Sequence, residues 1–384
     1  MTRSSDVVVV GAGVIGLAVA WRATQRGMSV VVVDPRPGTG ASSAAAGMLA
    51  PVTELHYAER ALLDLTLDSA VRYPDFVDEL QAVTGHDVGY RQCGTISVGW
   101  MGSDLAALRD VADFQRSLGL TVEALSAAEL RRLEPMLAPG LPGGVLVSGD
   151  HQVEPPALVA ALLAAATAGG VQLIDQPVAA LRLDGDSVHG VELADGAVIA
   201  AGQTVLACGA WSATFTLPGE RVLAVRPVKG QTLHLNGDPG ALSHVIRGEV
   251  RGVPVYLVPR ADGRVVVGAS SEEAGFDVRP RAGAVHDLLR DAQALLPSVA
   301  EMELVAVRTG LRPGTPDNAP LLGSIGVDGL VIATGHHRNG VLLAPVTADG
   351  VAELLESGTP PPSWKPFDPL RFDEVPSRGE PAWS

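Results

Sequence analysis

A glycine-rich turn between two apolar runs constrains the fold of this chain more than any other feature. Residues 6–10 form a short apolar run, typical of a strand buried on both faces of a parallel sheet, and residues 11–16 read Gly-Ala-Gly-Val-Ile-Gly. Residues 14–26 have helical spacing, Gly27 suits the position after a helix end, and residues 29–33 form a second apolar run. Because parallel strands need a crossover of this kind, a doubly wound α/β domain is predicted to begin here.

The spacing of the glycines predicts a dinucleotide site. Gly11 permits the tight turn, Gly13 lets a pyrophosphate approach the backbone, and Gly16 lets the helix pack on the sheet. Asp34 closes the second apolar run and is expected to accept hydrogen bonds from ribose hydroxyls. The chain has no second glycine fingerprint, and residues 41–51 are rich in Ser and Ala, which favours FAD over NAD. The alternative is a glycine turn without a ligand.

A second motif lies near the other end of the chain, where residues 335–340 read Gly-His-His-Arg-Asn-Gly. A strand is predicted at 330–334 and a helix at 341–355. The N–H groups at the helix start, together with Arg338, would stabilise negative charge on a reduced flavin. The alternative is an ordinary start of a helix with a surface arginine. His336 and His337 are adjacent, so they are expected to point in different directions.

Between these motifs the pattern changes from alternating helices and strands to antiparallel strands and back. Helices are predicted at 59–80, 104–118, 127–134, 155–168 and 284–295. Strands are predicted at 91–99, 171–174, 178–183, 188–193, 198–199, 204–207, 228–235, 253–259, 265–269 and 305–310, the last a buried strand. The prediction is therefore two domains that exchange the chain: a cofactor domain of residues 1–85, 145–220 and 305–365, a substrate domain of residues 86–144 and 221–304, and a C-terminal tail at 366–384. The last thirty or so residues, which include Pro360-Pro361-Pro362, are expected to be extended.

Composition excludes several classes of function. With 384 residues and 47% hydrophobic content the chain can bury a large core. The net charge of −15 argues against a nucleic-acid or anionic-membrane partner, and no apolar run is long enough to span a membrane. Cys93 and Cys208 are far apart, and no histidine spacing suggests a metal site. A cytoplasmic protein without a metal is expected.

Two further residues have the chemistry to hold a carboxylate. Arg312 follows an apolar run, and a guanidinium on a rigid element suits bidentate binding of a carboxylate. Tyr256 alternates out of the strand at 253–259 and would present its hydroxyl to the same anion. For Tyr256 the alternative is an ordinary core or surface position.

Four stretches resemble the D-amino-acid oxidase superfamily, and within it the glycine oxidases of thiamine biosynthesis. They are residues 8–17, residues 43–51 (SAAAGMLAP), residues 256–269 (YLVPRADGRVVVGA) with 310–314 (GLRPG), and residues 335–345 (GHHRNGVLLAP). The last stretch is the most specific. The resemblance implies a Rossmann-like FAD-binding domain interleaved with an antiparallel-sheet substrate domain, the fold of glutathione reductase and D-amino-acid oxidase. It also implies a homo-oligomer, typically a tetramer.

The resemblance also implies the site residues and a non-covalent FAD. Arg312 and Tyr256 match carboxylate ligands, Arg338 matches a residue beside flavin and substrate, and Ser271 and Pro254 stand where a relative has methionine and histidine. The expected flavin contacts are Gly11, Gly13, Val14, Ile15, Gly16, Asp34, Pro35, Arg36, Ser42, Ser43, Ala46, Gly47, Met48, Val178, Cys208, Gly209, Trp211, Arg312, His336, His337, Arg338, Asn339, Gly340, Val341 and Leu342.

The activity that the resemblance implies is oxidation of a small amino acid or amine to an imine, with O2 as acceptor and hydrogen peroxide as product. With glycine the imine is dehydroglycine, a precursor of the thiamine thiazole ring. Hydride transfer to the flavin needs positioning more than acid–base catalysis, and no residue is singled out as a general base. The alternatives are a D-amino-acid or proline dehydrogenase that reduces a quinone or a partner protein, and a non-catalytic flavin-binding subunit.

Overall fold

A computed structural model describes residues 3–372 and contains two large sheets. The first sheet has the order Leu321–Gly323, Leu330–Thr334, Val198–Leu206, Arg3–Val10, Val30–Val33 and Gln172–Ile174. Its central pairs are parallel, whereas Leu321–Gly323 is antiparallel to its neighbour. The hairpin Val178–Asp184 and Ser187–Leu193 extends from Val198–Leu206.

The second sheet is antiparallel except for one pair. Its order is Glu303–Gly314, Arg226–Asn236, Arg264–Gly268, Val253–Pro259, Val245–Val250, Thr95–Gly99, Gly143–Val147 and Glu123–Ser126. The parallel pair is Val245–Val250 with Thr95–Gly99. A two-stranded ribbon of Met48–Leu49 and His151–Gln152 lies apart from both sheets.

Helices pack on one face of the first sheet and on both faces of the second. The helices are Val14–Gln25, Ala41–Ala44, Arg60–Thr84, Gly102–Ser117, Ala127–Leu133, Pro155–Ala168, Ala282–Leu295 and Ala344–Ser357, with 3-10 turns at Tyr57–Glu59, Gly209–Thr214, Pro297–Glu301, His337–Asn339 and Pro362–Phe367. Val7 and Val9 face a core shared with four of the helices, while Val8 and Val10 face a second core on the other side. Burial on both faces explains why residues 7–10 of strand Arg3–Val10 are all valine.

Several predicted boundaries were wrong. The strand expected to be buried at 305–310 is the longer strand Glu303–Gly314 at the edge of the second sheet, and Val305 is 57% exposed. Helix Ala41–Ala44 packs on the second half of this strand, near Gly310. In the first half of the strand, the apolar side chains of Leu304 and Val305 are exposed. The separate strands at 198–199 and 204–207 are one strand, Val198–Leu206, because residues 200–203 continue the parallel ladder with Arg3–Val10.

The same strands bear on the predicted domain boundaries. The change from the second sheet to the first follows Gly314 rather than residue 305, and Gly143–Val147, on both sides of the boundary proposed at 145, lies wholly in the second sheet. The helix expected at 341–355 begins only at Ala344, with proline in its first turn.

The chain after the last long helix is packed, not extended, as far as the structure describes it. Trp364 and Phe367, in the turn Pro362–Phe367, are 2% and 1% exposed, and the indole of Trp364 lies against Gly350. Arg371 forms an ion pair with Asp317 at 2.8 Å. The prediction of an extended tail is therefore wrong up to residue 372, because two large aromatic side chains are buried there. Residues 373–384 lie outside the described residues.

Candidate active site

A cavity of about 880 Å³ lies where the carboxyl ends of the parallel strands meet the second sheet. Its walls come from the glycine turn, the segment 34–48, the Cys208–Phe215 region, four strands of the second sheet and residues 336–341. The carboxyl edge of a parallel sheet is the general place for a ligand in a doubly wound fold. The cavity therefore brings both terminal motifs to one site.

The glycine turn has the shape that a pyrophosphate needs. Gly11 has φ of +107°, and a Cβ there would lie 2.6 Å from the Ala207 carbonyl oxygen. A Cβ on Gly16 would collide with the Gly11 carbonyl oxygen, so this glycine lets the helix pack against the turn. Gly13 differs, because its Cβ would meet only Ser42 Oγ, at 3.4 Å. The space beside Gly13 thus opens into the cavity at the N-terminus of helix Val14–Gln25, where anions are stabilised.

Asp34 and Ser42 hold this turn in place. Asp34 accepts hydrogen bonds from the Ala12 N–H at 2.8 Å and the Arg36 N–H at 2.7 Å, one on each carboxylate oxygen. The Ser42 hydroxyl accepts from the Val14 N–H at 3.0 Å. Each Asp34 oxygen can accept a further hydrogen bond, so the carboxylate orients the turn and remains available to ribose hydroxyls.

Two glycines make room for the side chains of Arg312 and Tyr256, the predicted carboxylate ligands on the second sheet. The Arg312 guanidinium lies over Gly230, where a Cβ would be 2.5 Å from Nη1, and the phenol ring of Tyr256 lies over Gly268. Arg312 donates to the Ser270 carbonyl at 3.1 Å. Burial raises the pKa of Tyr256, so its hydroxyl keeps its proton near neutral pH and is able to donate to an anion. Within residues 3–372 no Asp or Glu oxygen lies within 4.0 Å of the Arg312 guanidinium.

Two other arginines in the cavity wall are paired with carboxylates. Arg247 donates to Glu54 Oε1 at 2.6 Å. Arg338 is bound by Glu59, donates to the Glu54 carbonyl at 2.9 Å and lies 3.6 Å from Glu54 Oε2. Burial by itself raises the pKa of Glu54, but the neighbouring Arg247 and Arg338 guanidiniums outweigh it and hold the pKa below its usual value. Glu54 is therefore a carboxylate anion in the cavity wall.

The two histidines of the second motif are both neutral. His336 is 2% exposed, its Nε2 lies 3.1 Å from Thr347 Oγ1, and burial lowers its pKa to about 3. His337 has φ of +48°, and burial, with Arg338 and Arg312 nearby, also lowers its pKa to about 3. Positive charge at this end of the cavity therefore comes from the arginines and not from imidazolium.

The pKa of His336 predicts a pH dependence of stability. Unfolding returns its pKa from about 3 to about 6.5, so the unfolded chain binds an extra proton between these values. The stability contributed by the neutral imidazole is present above pH 6.5 and is lost as the pH falls towards 3. Between pH 7.5 and 5.5 the free energy of unfolding should fall by about 1.4 kcal/mol through this residue alone. Denaturant unfolding of the wild type and of His336→Gln at both pH values measures it. The variant should show a pH difference smaller by that amount, and an equal difference in both proteins contradicts the assignment.

Most of the residues predicted from the sequence line the cavity. They are Gly11, Gly13, Val14, Ile15, Asp34, Pro35, Arg36, Ser42, Ala46, Gly47, Met48, Val178, Cys208, Gly209, Trp211, Pro254, Tyr256, Ser271, Arg312, His336, His337, Arg338, Gly340 and Val341. Four predicted flavin contacts lie behind the wall: Gly16, Ser43, Asn339 and Leu342. Asn339 is 4% exposed in the turn before the last long helix, and Ser43 Oγ donates to the backbone of residues 39 and 40.

Sequence reasoning missed the ion pair of Glu54 and Arg247. Strand Val245–Val250 was not predicted, because Arg247, Gly248 and Glu249 interrupt its apolar pattern. Arg247 stands opposite Tyr256 in the ladder, which itself stands opposite Gly268. A hairpin partner for the apolar strand at 253–259 was the signal that would have revealed it.

The irregular segment 269–281 is also part of the site, and the buried side chain of Lys229 fixes it in place. Lys229 is 0% exposed, donates to the Arg279 carbonyl at 2.6 Å and lies 3.4 Å from Glu272 Oε2. Gln231 donates to Glu272 at 2.6 Å and accepts from the Arg281 N–H at 2.9 Å. These contacts place Ser271, Phe276 and Val278 in the cavity wall.

The fold and the site together define a dinucleotide-binding oxidoreductase. The open space at Gly13, the carboxylate of Asp34 and the helix N-terminus fit a pyrophosphate and a ribose, and the elongated wall continues to Arg312 and Tyr256. No helix within residues 3–372 is long and apolar enough to cross a membrane.

Comparison with known proteins agrees with this class. The pattern of the FAD-dependent oxidoreductase family, DAO, matches residues 6–354. The chain is 36% identical over 362 residues to a glycine oxidase from Geobacillus kaustophilus (strain HTA426), covering 93% of this chain and 94% of that protein. A crystal structure of glycine oxidase from Geobacillus kaustophilus superposes with a TM-score of 0.90 at 35% identity, covering 96% of this chain and 99% of the other.

Two further similar proteins differ from these glycine oxidases, one in its length and the other in the substrate that it is named for. The chain is 35% identical to a bifunctional ThiO/ThiG protein from Trichormus variabilis (strain ATCC 29413 / PCC 7937), with 97% of this chain covering 56% of that protein. The crystal structure of iminodiacetate oxidase from Chelativorans sp. BNC1 has a TM-score of 0.86 at 27% identity, with 94% of this chain and 98% of the other covered.

The chain belongs to the FAD-dependent oxidoreductase (DAO) family. Its cofactor is FAD, and the predicted fold class and resemblance are confirmed.

Proposed function

We propose that this protein oxidises glycine and other small amino acids or amines to the imine, with O2 as electron acceptor and hydrogen peroxide as product. Dehydroglycine formed from glycine would supply thiazole synthesis for thiamine. The single observation that carries the substrate class is Arg312, a rigidly placed guanidinium in the cavity wall with no carboxylate of residues 3–372 within 4.0 Å. The likeness to glycine oxidases, and to a protein that joins ThiO to ThiG, supports the finer statement.

The chain's own residues bind and orient the substrate. The substrate carboxylate pairs with Arg312 and accepts a hydrogen bond from the Tyr256 hydroxyl, which fixes the α-carbon in the cavity. Bound FAD supplies the acceptor for the hydride from this carbon. Positioning of this kind needs no general base, since the amine enters the reaction in its neutral form.

We also propose that FAD is held without a covalent bond and that the protein assembles as a homotetramer. The turn after Arg312 contains no cysteine. Cys208 lines the cavity, but burial raises the pKa of its thiol to about 12, so it is a poor nucleophile. Residues of the first sheet and its helices would form the flavin domain, and the second sheet would form the substrate domain, in a cytoplasmic enzyme.

Aerobic peroxide formation tests the proposed reaction. The purified yellow protein is assayed with glycine, sarcosine, D-alanine and D-proline in parallel, and kcat/KM is compared. We expect one molecule of peroxide for each molecule of substrate oxidised. We also expect the kcat/KM for glycine to be among the highest of the four. Anaerobic bleaching of the flavin by a substrate, without peroxide once air is admitted, would instead support a dehydrogenase that uses another acceptor. No bleaching by any of the four contradicts the substrate class.

A further inference from the structure

The charged groups in and directly behind the wall at the substrate end of the cavity do not cancel. Three guanidiniums, Arg247, Arg312 and Arg338, stand with two carboxylates, Glu54 and Glu59. Arg247 and Arg338 are paired, and Arg312 is the remaining cation. This end of the cavity therefore compensates one negative charge on a ligand. If the ligand carried a second anionic group, the two guanidiniums left for it would be Arg247 and Arg338, and each of these is already neutralised by a carboxylate.

Of these two carboxylates, Glu54 is the one that lines the cavity. It lines the cavity together with Arg247, Tyr256 and Arg312, whereas Glu59 lies behind Arg338 and outside the lining. Its charge acts on both carboxylate ligands: Arg312 contributes to the low pKa of Glu54, and Glu54 contributes to the raised pKa of Tyr256. A second carboxylate bound near Arg312 and Tyr256 would therefore lie within the field of Glu54.

We infer that Glu54 is a specificity-determining residue that restricts this enzyme to amines and amino acids carrying one anionic group. Its anion can accept a hydrogen bond from the amino group of a substrate held on Arg312, and it repels a second carboxylate or phosphonate. Arg247 limits this effect by pairing with Glu54, so removal of either partner shifts selectivity, in opposite directions. This inference rests on the proposed function of the site.

Binding of acetate and malonate, followed by the flavin absorbance of the purified holoenzyme, tests the inference. Both ligands have a carboxylate for Arg312, but malonate has two charges. In Glu54→Gln the ratio of the malonate Kd to the acetate Kd should fall at least about tenfold. In Glu54→Asp, which keeps the charge, the ratio should stay within about twofold of the wild type. Arg247→Gln should raise the ratio.

The ratio of kcat/KM for iminodiacetate to that for glycine should follow the same order, rising at least about tenfold in Glu54→Gln. An unchanged Kd ratio in a folded Glu54→Gln protein that still binds acetate overturns the inference while leaving the proposed function standing. If Glu54→Gln does not fold, Arg247→Gln decides, and a Kd ratio equal to or below that of the wild type overturns the inference. If the wild type neither binds acetate nor oxidises glycine, the proposed function itself fails.

Discussion

Arg312→Ala should raise KM for glycine by about 10²- to 10³-fold while the protein still purifies with its flavin. The substitution removes the cation that has no carboxylate partner among residues 3–372, and with it about 3–4 kcal/mol of charge-assisted binding. Arg312→Lys keeps the charge but loses the planar fork, so we expect an intermediate loss of about tenfold. Steady-state kinetics and the flavin content of the purified protein measure both effects.

Arg182→Ala is the matched control for this substitution. Arg182 is exposed on the hairpin of the first sheet and does not line the cavity, so its loss should leave KM within about twofold of the wild type. A KM for glycine that is unchanged in Arg312→Ala would remove Arg312 from substrate binding. Loss of the flavin in this variant would instead make Arg312 a cofactor ligand.

Gly13→Asp should abolish flavin binding, raising the Kd for FAD by about 10²-fold or more, while the protein remains folded. Gly13 has φ of −79° and ψ of −176°, a conformation open to any residue, and its Cβ would meet only Ser42 Oγ. Gly13 is the N-cap residue of helix Val14–Gln25, and an aspartate at an N-cap accepts hydrogen bonds from the free N–H groups of the first turn and stabilises the helix. The same carboxylate would fill the space beside the turn and repel a pyrophosphate.

The expected product is therefore a colourless protein whose far-UV circular dichroism and thermal unfolding match those of the flavin-free wild type. Gly13→Ala is the milder control, since one methyl group occupies part of the space without adding charge, and it should weaken FAD binding by less than Gly13→Asp. If Gly13→Asp binds FAD with wild-type affinity, the pyrophosphate does not lie at this turn. A Gly13→Asp protein that is unfolded shows that Gly13 is needed for the fold itself.

The parts of the site that were predictable are those that depend on local backbone geometry. Gly11 and Gly13 are required by a turn of a few residues, and the apolar run before them is required by burial of one strand on both faces. Such constraints act on residues that are close together in the sequence, so they can be recognised without knowing how the rest of the chain folds. Helix Pro155–Ala168 and strand Val253–Pro259 were predicted to the residue for the same reason.

The ion pair of Glu54 with Arg247 could not be predicted from local sequence patterns. These residues are 193 positions apart and meet because strand Val245–Val250 enters the second sheet beside Tyr256. The burial of Trp364 and Phe367 was missed likewise. Pro360-Pro361-Pro362 has the composition of an extended segment, but Trp364 packs on Gly350 and both aromatic side chains belong to the core of the first sheet.

By itself the sequence determined the dinucleotide turn, the parallel strands around it and the types of residue available to bind a carboxylate. The sequence also predicted Arg312 as a carboxylate ligand, but only the tertiary structure explains why its guanidinium, unlike those of Arg247 and Arg338, has no carboxylate partner within residues 3–372. Arg247, Arg312 and Arg338 are chemically identical guanidiniums, and long-range contacts with Glu54 and Glu59 neutralise two of them. The charge left at Arg312 arises from packing of distant segments into one low-dielectric cavity, where each ion pair excludes its members from binding another ion.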